Sequence, residues 1–277
     1  MIPLSRTRTT TAIHANFRSP KRETFNLELM TERREHLVDP AEKQEFDSGR
    51  WKKAKPQLLN ETNDKCAYCE APTSVVAYGD VEHYRPKSKY WWLAYCYENY
   101  LPSCQLCNQK YKKAKFPVKN SRMKSPALIR SNSTDALMES KKGILTPDSL
   151  DPASVTLFDD EHAAEWAYVV NPYVDDPADW FAWEADEVTE RVKLIPASNT
   201  EDAKKVVKAA EDDLGLNRDE LQDLRFVQYF IFKTFKLTLL DSGISAATKT
   251  RTERAIKRML ANKAPFAGML RYFDPIL

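Results

Sequence analysis

Cys66-Ala67-Tyr68-Cys69 and Cys104-Gln105-Leu106-Cys107 are the stretches that decide how this chain folds. A CxxC turn presents two thiolates from one short loop, and two such turns supply the four sulfur ligands of a closed tetrahedral zinc site. A redox-active CxxC would need only one motif, at the start of a helix in a thioredoxin-like setting. Because 34 residues separate Cys69 from Cys104, the two turns predict a structural zinc that holds together the ends of the segment between them.

The segment between the two turns has the pattern of two strands followed by a helix. Ser74–Tyr78 is β-prone, Gly79-Asp80 is a turn signal, and Val81–Tyr84 is predicted to be the returning strand. Lys89–Tyr100 is rich in Trp and Tyr and is either a helix or a packed loop. Cys104–Lys115 is predicted to be a helix that starts at the second CxxC turn. We therefore expect a strand–strand–helix unit around one metal centre.

The flanking segments are predicted to be mainly helical. In the N-terminal part, Lys21–Leu37 is predicted to form one helix, and a second begins near Pro40 and is broken or ended by Pro56. In the C-terminal part, Trp180–Ala185 and Val188–Ile195 form a possible hairpin. Arg218–Leu240 is apolar on more than one side and is predicted to be a central helix.

The predicted fold class is α+β, with a small mixed core inside a mostly α-helical protein. The sequence divides into an N-terminal helical region (1–62), the zinc-bearing core (63–120) and a mainly helical region with a possible hairpin (121–277). A chain of 277 residues with a hydrophobic fraction of 42% has enough apolar content for such a core. No apolar run approaches the roughly 20 residues that cross a bilayer, and no signal peptide is evident, so we expect a cytoplasmic protein without a membrane partner.

Cysteine usage and charge distribution refine this expectation. Four of the five cysteines lie in CxxC pairs, which favours metal ligation in a reducing compartment, and Cys96 is expected to be a small buried apolar side chain. The net charge is only +2, but Cys104–Arg130 carries eight Lys or Arg residues and no acid. Ile144–Glu190 carries thirteen acids and no Lys or Arg. The basic stretch predicts a phosphate-binding surface, with a solvated helix face as the alternative.

Polar side chains that suit metal-assisted chemistry lie between and just after the two CxxC turns. His83 directly follows Glu82, and a neutral imidazole can take a proton from water at cytoplasmic pH. Asn108 directly follows the last cysteine, so its amide oxygen would be held rigidly as a ligand for a hard metal ion. Glu82 is the carboxylate expected to share that ion, and Asp80 is its rival. Asn99 is the remaining polar candidate.

The order of these residues resembles that of the HNH nucleases, the zinc-bearing branch of the ββα-metal (His-Me finger) nucleases. The matching positions are Cys66, Cys69, Glu82, His83, Asn99, Cys104, Cys107, Asn108 and Lys112. Further segments resemble the PtuB-like HNH subunits of Septu and retron-linked bacterial defence systems: residues 80–87, 108–112 with 116–117, 171–177 and 214–218. The resemblance extends from about residue 60 to 220.

The resemblance implies a role for each matching residue. His83 would be the general base, Glu82 and Asn108 would hold one catalytic Mg²⁺ or Mn²⁺, and the amide of Asn99 would orient the loop that bears His83. The residues expected to contact phosphates of the nucleic acid are Arg85, Lys87, Lys110, Lys112 and Lys113. Family members often have Asp at the position of Glu82 and His at that of Asn108, but the side chains present here still offer oxygen ligands.

The function implied by the resemblance is metal-dependent endonucleolytic cleavage of DNA, with RNA as the alternative substrate, in bacterial anti-phage defence. The chain has six glycines and no GxxxxGK[ST] loop, so it does not bind ATP in the P-loop manner. The resemblance implies a separate ATPase subunit of the PtuA type, docked on the helical segments at residues 1–60 and 200–277. The alternative from another class is a non-catalytic, zinc-stabilised nucleic-acid-binding or scaffold module.

Overall fold

The computed structural model describes residues 1–41, 44–75 and 78–277, and within these ranges helices surround two small antiparallel hairpins. The strands are β1 (Asp80–His83), β2 (Tyr100–Ser103), β3 (Phe181–Asp186) and β4 (Arg191–Pro196). The α-helices are α1 (Lys21–Val38), α2 (Ser48–Trp51), α3 (Lys55–Thr62), α4 (Asp135–Lys141), α5 (Pro152–Glu165), α6 (Glu201–Asp212), α7 (Asp219–Leu240), α8 (Ala246–Met259) and α9 (Ala267–Phe273). A π-helix covers Leu106–Lys112, and short 3-10 turns include Lys52–Ala54, Trp91–Leu93 and Tyr97–Asn99.

The first hairpin joins β1 to β2, with His83 opposite Tyr100 and Asp80 opposite Ser103. β1 confirms the returning strand predicted at Val81–Tyr84, shifted by one residue. The first predicted strand is wrong where the structure describes it, because residues 74 and 75 form a turn and residue 78 has no regular structure. Residues 76 and 77 lie outside the described residues.

Exposure explains why the prediction at Ser74–Tyr78 failed. Val75 is 78% exposed and Tyr78 is 90% exposed, whereas β-propensity expresses the fit of a side chain to a half-buried, pleated surface. The partner of β1 comes instead from the end of the Trp- and Tyr-rich segment. The rest of that segment is a packed loop with two 3-10 turns, one of the two alternatives that the sequence allowed.

The helix predicted at Cys104–Lys115 is present but is shorter and wider than an α-helix. Its regular part is Leu106–Lys112, and the amide of Lys113 donates to the carbonyl of Asn108, five residues earlier, at 2.8 Å. Lys113 then adopts φ +50°, which ends the helix. A β–β–helix arrangement therefore follows the first CxxC turn, with residues 104 and 107 at the base of the helix.

The N-terminal helices differ from the sequence prediction after α1. The helix predicted to begin near Pro40 is wrong in its start, because Ala41 is in a turn and residues 44–47 have no regular structure, whereas residues 48–54 within its span are helical; residues 42 and 43 lie outside the described residues. Pro56 does not end a helix either, because it lies in the first turn of α3. Proline is tolerated there since its missing N–H would have no partner within the helix.

The C-terminal half agrees with the predicted hairpin and helices, with one difference in exposure. β3 pairs with β4, with Trp183 opposite Leu194. α7 buries Phe226 and Phe232, and these pack in one hydrophobic cluster with Phe25 of α1 and with Cys107. The opposite face of α7 is exposed, however, so the helix is not central as its apolar sequence indicated. None of the described helices is both long enough and apolar enough to span a membrane.

Gly215 fixes the contact between the α6–α7 loop and the π-helix. Its φ is +63°, and a Cβ atom at this position would lie 2.6 Å from ring atoms of Tyr111. We expect Gly215→Ala to lower the free energy of unfolding by about 2–4 kcal/mol, because a left-handed conformation and overpacking each cost an L-residue energy. Urea unfolding followed by circular dichroism measures this. Gly143→Ala, where a Cβ meets nothing within 4 Å, is the matched control, and equal small losses in both variants would contradict the tight contact.

Candidate active site and metal centre

The four cysteines of the two CxxC turns come together in space. Their Sγ atoms all lie within 4.8 Å of one another, and the Sγ atoms of Cys69 and Cys104 are 3.9 Å apart. A tetrahedral site with zinc–sulfur bonds of about 2.3 Å has sulfur–sulfur edges of roughly 3.8 Å. The donor set and its spacing therefore fit zinc, and the cluster can hold it with no position left open for a substrate.

Backbone and side-chain groups support this cluster. The amide of Glu70, with φ +60°, donates to the carbonyl of Cys66 and closes the first turn. The amide of Cys107 donates to Sγ of Cys104 at 3.4 Å, and Nη1 of Arg218 lies 3.8 Å from Sγ of Cys107. Such donors offset thiolate charge. Cys96 is buried outside the cluster, as expected, and burial raises the pKa of its thiol to about 12.

His83 ends β1 and is held in one orientation. Its Nε2 atom lies 2.9 Å from the carbonyl oxygen of Ala94, which also accepts from the hydroxyl of Tyr100 at 2.7 Å. A carbonyl only accepts, so Nε2 carries the hydrogen and Nδ1 is left as the acceptor. The rings of Trp51 and Tyr100 meet the imidazole edge to face, at centroid distances of 4.9 and 5.2 Å.

Burial keeps this imidazole neutral. His83 is 8% exposed, and the loss of water lowers its pKa to about 3, against the hydrogen bond to Ala94. The positive charges of Lys87 and Lys112 lower the pKa further. At neutral pH the free side chain is therefore an unprotonated base.

Asn99 fixes the loops on both sides of the imidazole. Its side chain is fully buried, its Oδ1 accepts from the amide of Arg85 at 2.8 Å, and its Nδ2 donates to the carbonyls of Arg85 and Leu93 at 3.0 and 3.2 Å. Arg85 lies two residues after His83, and Leu93 directly precedes the residue whose carbonyl binds Nε2. The amide therefore joins the two backbone segments that orient the imidazole.

Glu82 points into a buried ion pair with Lys112. Both side chains are almost fully buried, their charged ends are in direct contact, and Nζ of Lys112 also donates to the carbonyl of His83 at 3.0 Å. Burial raises the pKa of Glu82, although the positive charge of Lys112 acts in the opposite direction. Lys112 thus links the π-helix to β1 at Glu82 and His83.

Asp80 and Asn108 meet at the other end of β1. Oδ2 of Asp80 accepts from Nδ2 of Asn108 at 3.1 Å and from Nε2 of Gln109 at 2.9 Å. Asp80 and Glu82 lie two residues apart on β1. The side-chain amide of Asn108 approaches Asp80 from the π-helix. These two carboxylates and one amide are oxygen donors of the kind that Mg²⁺ and Mn²⁺ prefer.

A cleft of about 720 Å³ brings together five of the nine residues predicted for catalysis or phosphate contact. Its lining includes Asp80, Glu82, His83 and Asn108, and also two of the predicted phosphate contacts, Lys87 and Lys113. Lys110 is exposed on the π-helix outside the lining of this cleft. Asn99 lies behind the imidazole and not in the lining.

Two of the predicted phosphate contacts lie in the interior. Arg85 is fully buried, its Nε atom is 2.7 Å from Oε2 of Glu165, and its Nη2 atom is 3.1 Å from Nδ1 of His162. Lys112 is equally buried against Glu82. Contact of these two side chains with phosphate stays a prediction.

Sequence reasoning missed one wall of the cleft. Trp51, Lys52 and Lys55 line it from the N-terminal segment, about thirty residues before His83. No motif marks these residues, because an isolated Trp and two surface lysines occur in any helical region. Only the packing of α3 against β1 and β2 brings them to the site.

The chain is similar to curated proteins over part of its length. It is 31% identical over 134 residues to the Septu protein PtuB of Bacillus mycoides (strain KBAB4), which is 44% of this chain and 43% of that protein. It is 38% identical over 74 residues to the Septu protein PtuB of Bacillus thuringiensis, which is 25% of this chain and 29% of that protein. The chain thus spans less than half the length of either relative. No protein-family model matches it.

Proposed function

We propose that this chain is a metal-dependent HNH endonuclease that hydrolyses phosphodiester bonds of DNA, with RNA as the alternative substrate. One observation carries the proposal: a neutral imidazole, with Nδ1 bonded to no described residue, lines a cleft beside two carboxylates and an amide. The hairpin of β1 and β2 followed by the π-helix, with four clustered cysteines, is the arrangement that the resemblance to HNH nucleases implies.

His83 would take the proton from the water that attacks the phosphorus. The Nε2–H group donates to Ala94 and keeps Nδ1 available for that proton. A pKa of about 3 makes the free imidazole a weak base, but a bound phosphodiester adds a negative charge to the cleft and raises the affinity of the ring for a proton. The rings of Trp51 and Tyr100 pack against the imidazole and hold it in place.

Asp80, Glu82 and Asn108 would hold one Mg²⁺ or Mn²⁺ through side-chain oxygens. The bound ion would stabilise the charge that develops on the leaving 3′ oxygen. Asp80 already touches the amide of Asn108, whereas the charge of Glu82 is balanced by Lys112. This contrast favours Asp80 as the stronger of the two carboxylate ligands. Glu82 would be the weaker ligand, because its charge is shared with Lys112.

Single substitutions should separate metal binding by Asp80 from the buried ion pair of Glu82. We expect Asp80→Ala to raise the Mn²⁺ concentration for half-maximal cleavage by about 10-fold or more, with little change in stability. Glu82→Ala leaves the Lys112 ammonium buried without its counter-ion, so the free energy of unfolding should fall by about 3–5 kcal/mol. Manganese titration of cleavage and urea unfolding measure the two effects. A fully stable Glu82→Ala variant would show that the buried pair has no structural role.

The proposed activity is tested by incubating the chain with supercoiled plasmid, single-stranded DNA and RNA, with and without Mg²⁺ or Mn²⁺. We expect nicking or linearisation only when the metal is present. The alternative function, a zinc-stabilised nucleic-acid-binding or scaffold module, predicts binding without cleavage. Cleavage that stays absent after addition of the proposed ATPase partner would favour this alternative.

Similarity to Septu protein PtuB supports a role in bacterial anti-phage defence together with an ATPase subunit of the PtuA type. We propose that this subunit docks on the outer face of α7. That face carries apolar side chains that are 38–55% exposed: Leu224, Val227, Phe230, Ile231 and Leu237. An exposed apolar stripe of this kind marks a protein interface more often than a solvated surface.

Docking on α7 predicts the outcome of a co-purification experiment. Phe230→Asp should reduce recovery of the co-expressed ATPase at least 10-fold, because an aromatic anchor at an interface typically contributes 2 kcal/mol or more. Val188→Asp is the matched control, since Val188 is 93% exposed on the β3–β4 turn. Equal recovery with both variants would place the interface elsewhere on the chain.

A further inference from the structure

We infer that the N-terminal segment forms a second wall of a nucleic-acid-binding cleft, in which Lys52 and Lys55 bind backbone phosphates near the bond at His83. The inference rests on the proposed function, because it assigns the substrate-binding part of the same cleft. Neither lysine belongs to the β–β–helix unit. The two lie on the segment that runs from the 3-10 turn Lys52–Ala54 into α3.

Packing around His83 places this segment at the site. Trp51 meets the imidazole edge to face at 4.9 Å, and Nζ of Lys87 lies 5.3 Å from the centroid of the Trp51 ring. Lys52 directly follows Trp51, and Lys55 follows three residues later at the start of α3, which packs on β1 and β2. The N-terminal wall is thus packed on β1 and lines the same cleft as Asn108 and Lys113.

The cleft has an excess of positive charge that its own carboxylates do not neutralise. Four lysines line it: Lys52, Lys55, Lys87 and Lys113. Among the described residues, none of these four ammonium groups forms an ion pair. The described lining includes two carboxylates, and one of them, Glu82, is already paired with Lys112. Unpaired lysines on both walls suit a ligand with several negative charges along its length.

A nucleic-acid strand fits these features better than a small anion. The cleft volume of about 720 Å³ is far larger than one phosphate group, and the lysines that line it come from the N-terminal segment and from the segments that follow β1 and the π-helix. Phosphate contacts of this kind position a strand without reading its bases. The expected ligand is therefore a DNA or RNA backbone held independently of sequence, with the scissile phosphate at His83.

The test measures binding without cleavage. The full-length His83→Ala protein, in buffer without added divalent cation, is titrated into a labelled DNA duplex and the corresponding single-stranded DNA and RNA at several NaCl concentrations. The same titration is made with Lys52→Ala/Lys55→Ala in this background. Lys204→Ala/Lys208→Ala is the matched control, because those lysines are exposed on α6 and pair with acids of their own helix.

We expect the loss of Lys52 and Lys55 to reduce the slope of log affinity against log salt by about 1.8 for duplex DNA, or about 1.4 for a single strand. For the duplex, the factor by which affinity falls between 50 and 200 mM salt is then roughly twelvefold smaller in the variant. The control should keep the full slope, and Lys52→Arg/Lys55→Arg should restore it. Thermal unfolding of each variant checks that the fold is intact.

An unchanged slope in the Lys52→Ala/Lys55→Ala variant, an equal loss in the control, or no binding to any of the three nucleic acids would overturn the inference. Failure of the proposed function has a different signature. If the His83→Ala protein cleaves as fast as the wild type, the catalytic assignment is wrong, but the salt slope still reports whether the two lysines bind phosphate.

Discussion

Replacing His83 with alanine is expected to slow metal-dependent plasmid cleavage by about 10²–10⁴-fold, the range typical of a general base. The loss should appear at every metal concentration, because His83 is not among the proposed metal ligands. Its Nε2–H is fixed by Ala94 and its Nδ1 is bonded to no described residue, so the substitution removes the group that we propose to accept the proton. Initial rates of supercoiled-plasmid loss measure the effect.

The control for this experiment must exclude a change in folding. The imidazole fills the space between Trp51 and Tyr100, so zinc content and thermal unfolding of His83→Ala are measured beside activity. His14→Ala is a matched substitution at an exposed histidine near the start of the chain. The cleavage rate of this variant should equal that of the wild type. Wild-type rates in a folded His83→Ala protein would exclude His83 as the base.

Replacing Cys69 with serine is expected to abolish zinc binding and with it the cooperative folding of the chain. Structural zinc contributes about 10–16 kcal/mol in zinc-finger peptides, whereas a folded domain is typically stable by only about 5–15 kcal/mol. Three cysteines of the cluster are also buried in the main hydrophobic cluster, so losing the metal removes the link between the two CxxC turns inside the core. Elemental analysis and thermal unfolding by circular dichroism measure both effects.

Cys96 supplies the control for the zinc experiment. It is as buried as Cys66, Cys69 and Cys107 but its sulfur is not in the cluster. Cys96→Ala should retain about one zinc per chain and lose no more than about 1–2 kcal/mol of stability. If Cys69→Ser kept both its zinc and its melting transition, the four sulfurs would not be the structural centre of this fold.

Features encoded by short spacings were predicted correctly from the sequence. Each CxxC turn brings its own two cysteines together, and the need of zinc for four ligands predicted that the two turns meet; the structure places the four sulfurs together. Asn108 directly follows the last cysteine, and the structure places its Nδ2 atom 3.1 Å from Oδ2 of Asp80 on β1. Its role as a metal ligand stays a prediction.

Features that depend on distant partners could not be predicted. β2, the strand paired with β1, begins seventeen residues after β1 ends. The β-prone segment Ser74–Tyr78 was a nearer candidate in sequence but a wrong one where the structure describes it. Formal charge could not reveal that Arg85 pairs with Glu165, eighty residues away, or that Lys112 is buried against Glu82. Likewise, α7 has apolar residues on two faces, and the sequence does not say which face is covered by this chain.

The most direct test of the central claim is a crystal structure of the His83→Ala protein grown with Mn²⁺ and a short DNA duplex, with anomalous scattering recorded for manganese and zinc separately. We expect one zinc peak among the four cysteine sulfurs and one manganese peak in the cleft, bound by Asp80 or Glu82 and by Asn108 at about 2.1 Å, with a phosphate at the same ion. Manganese bound elsewhere, or DNA seated away from position 83, would contradict the account.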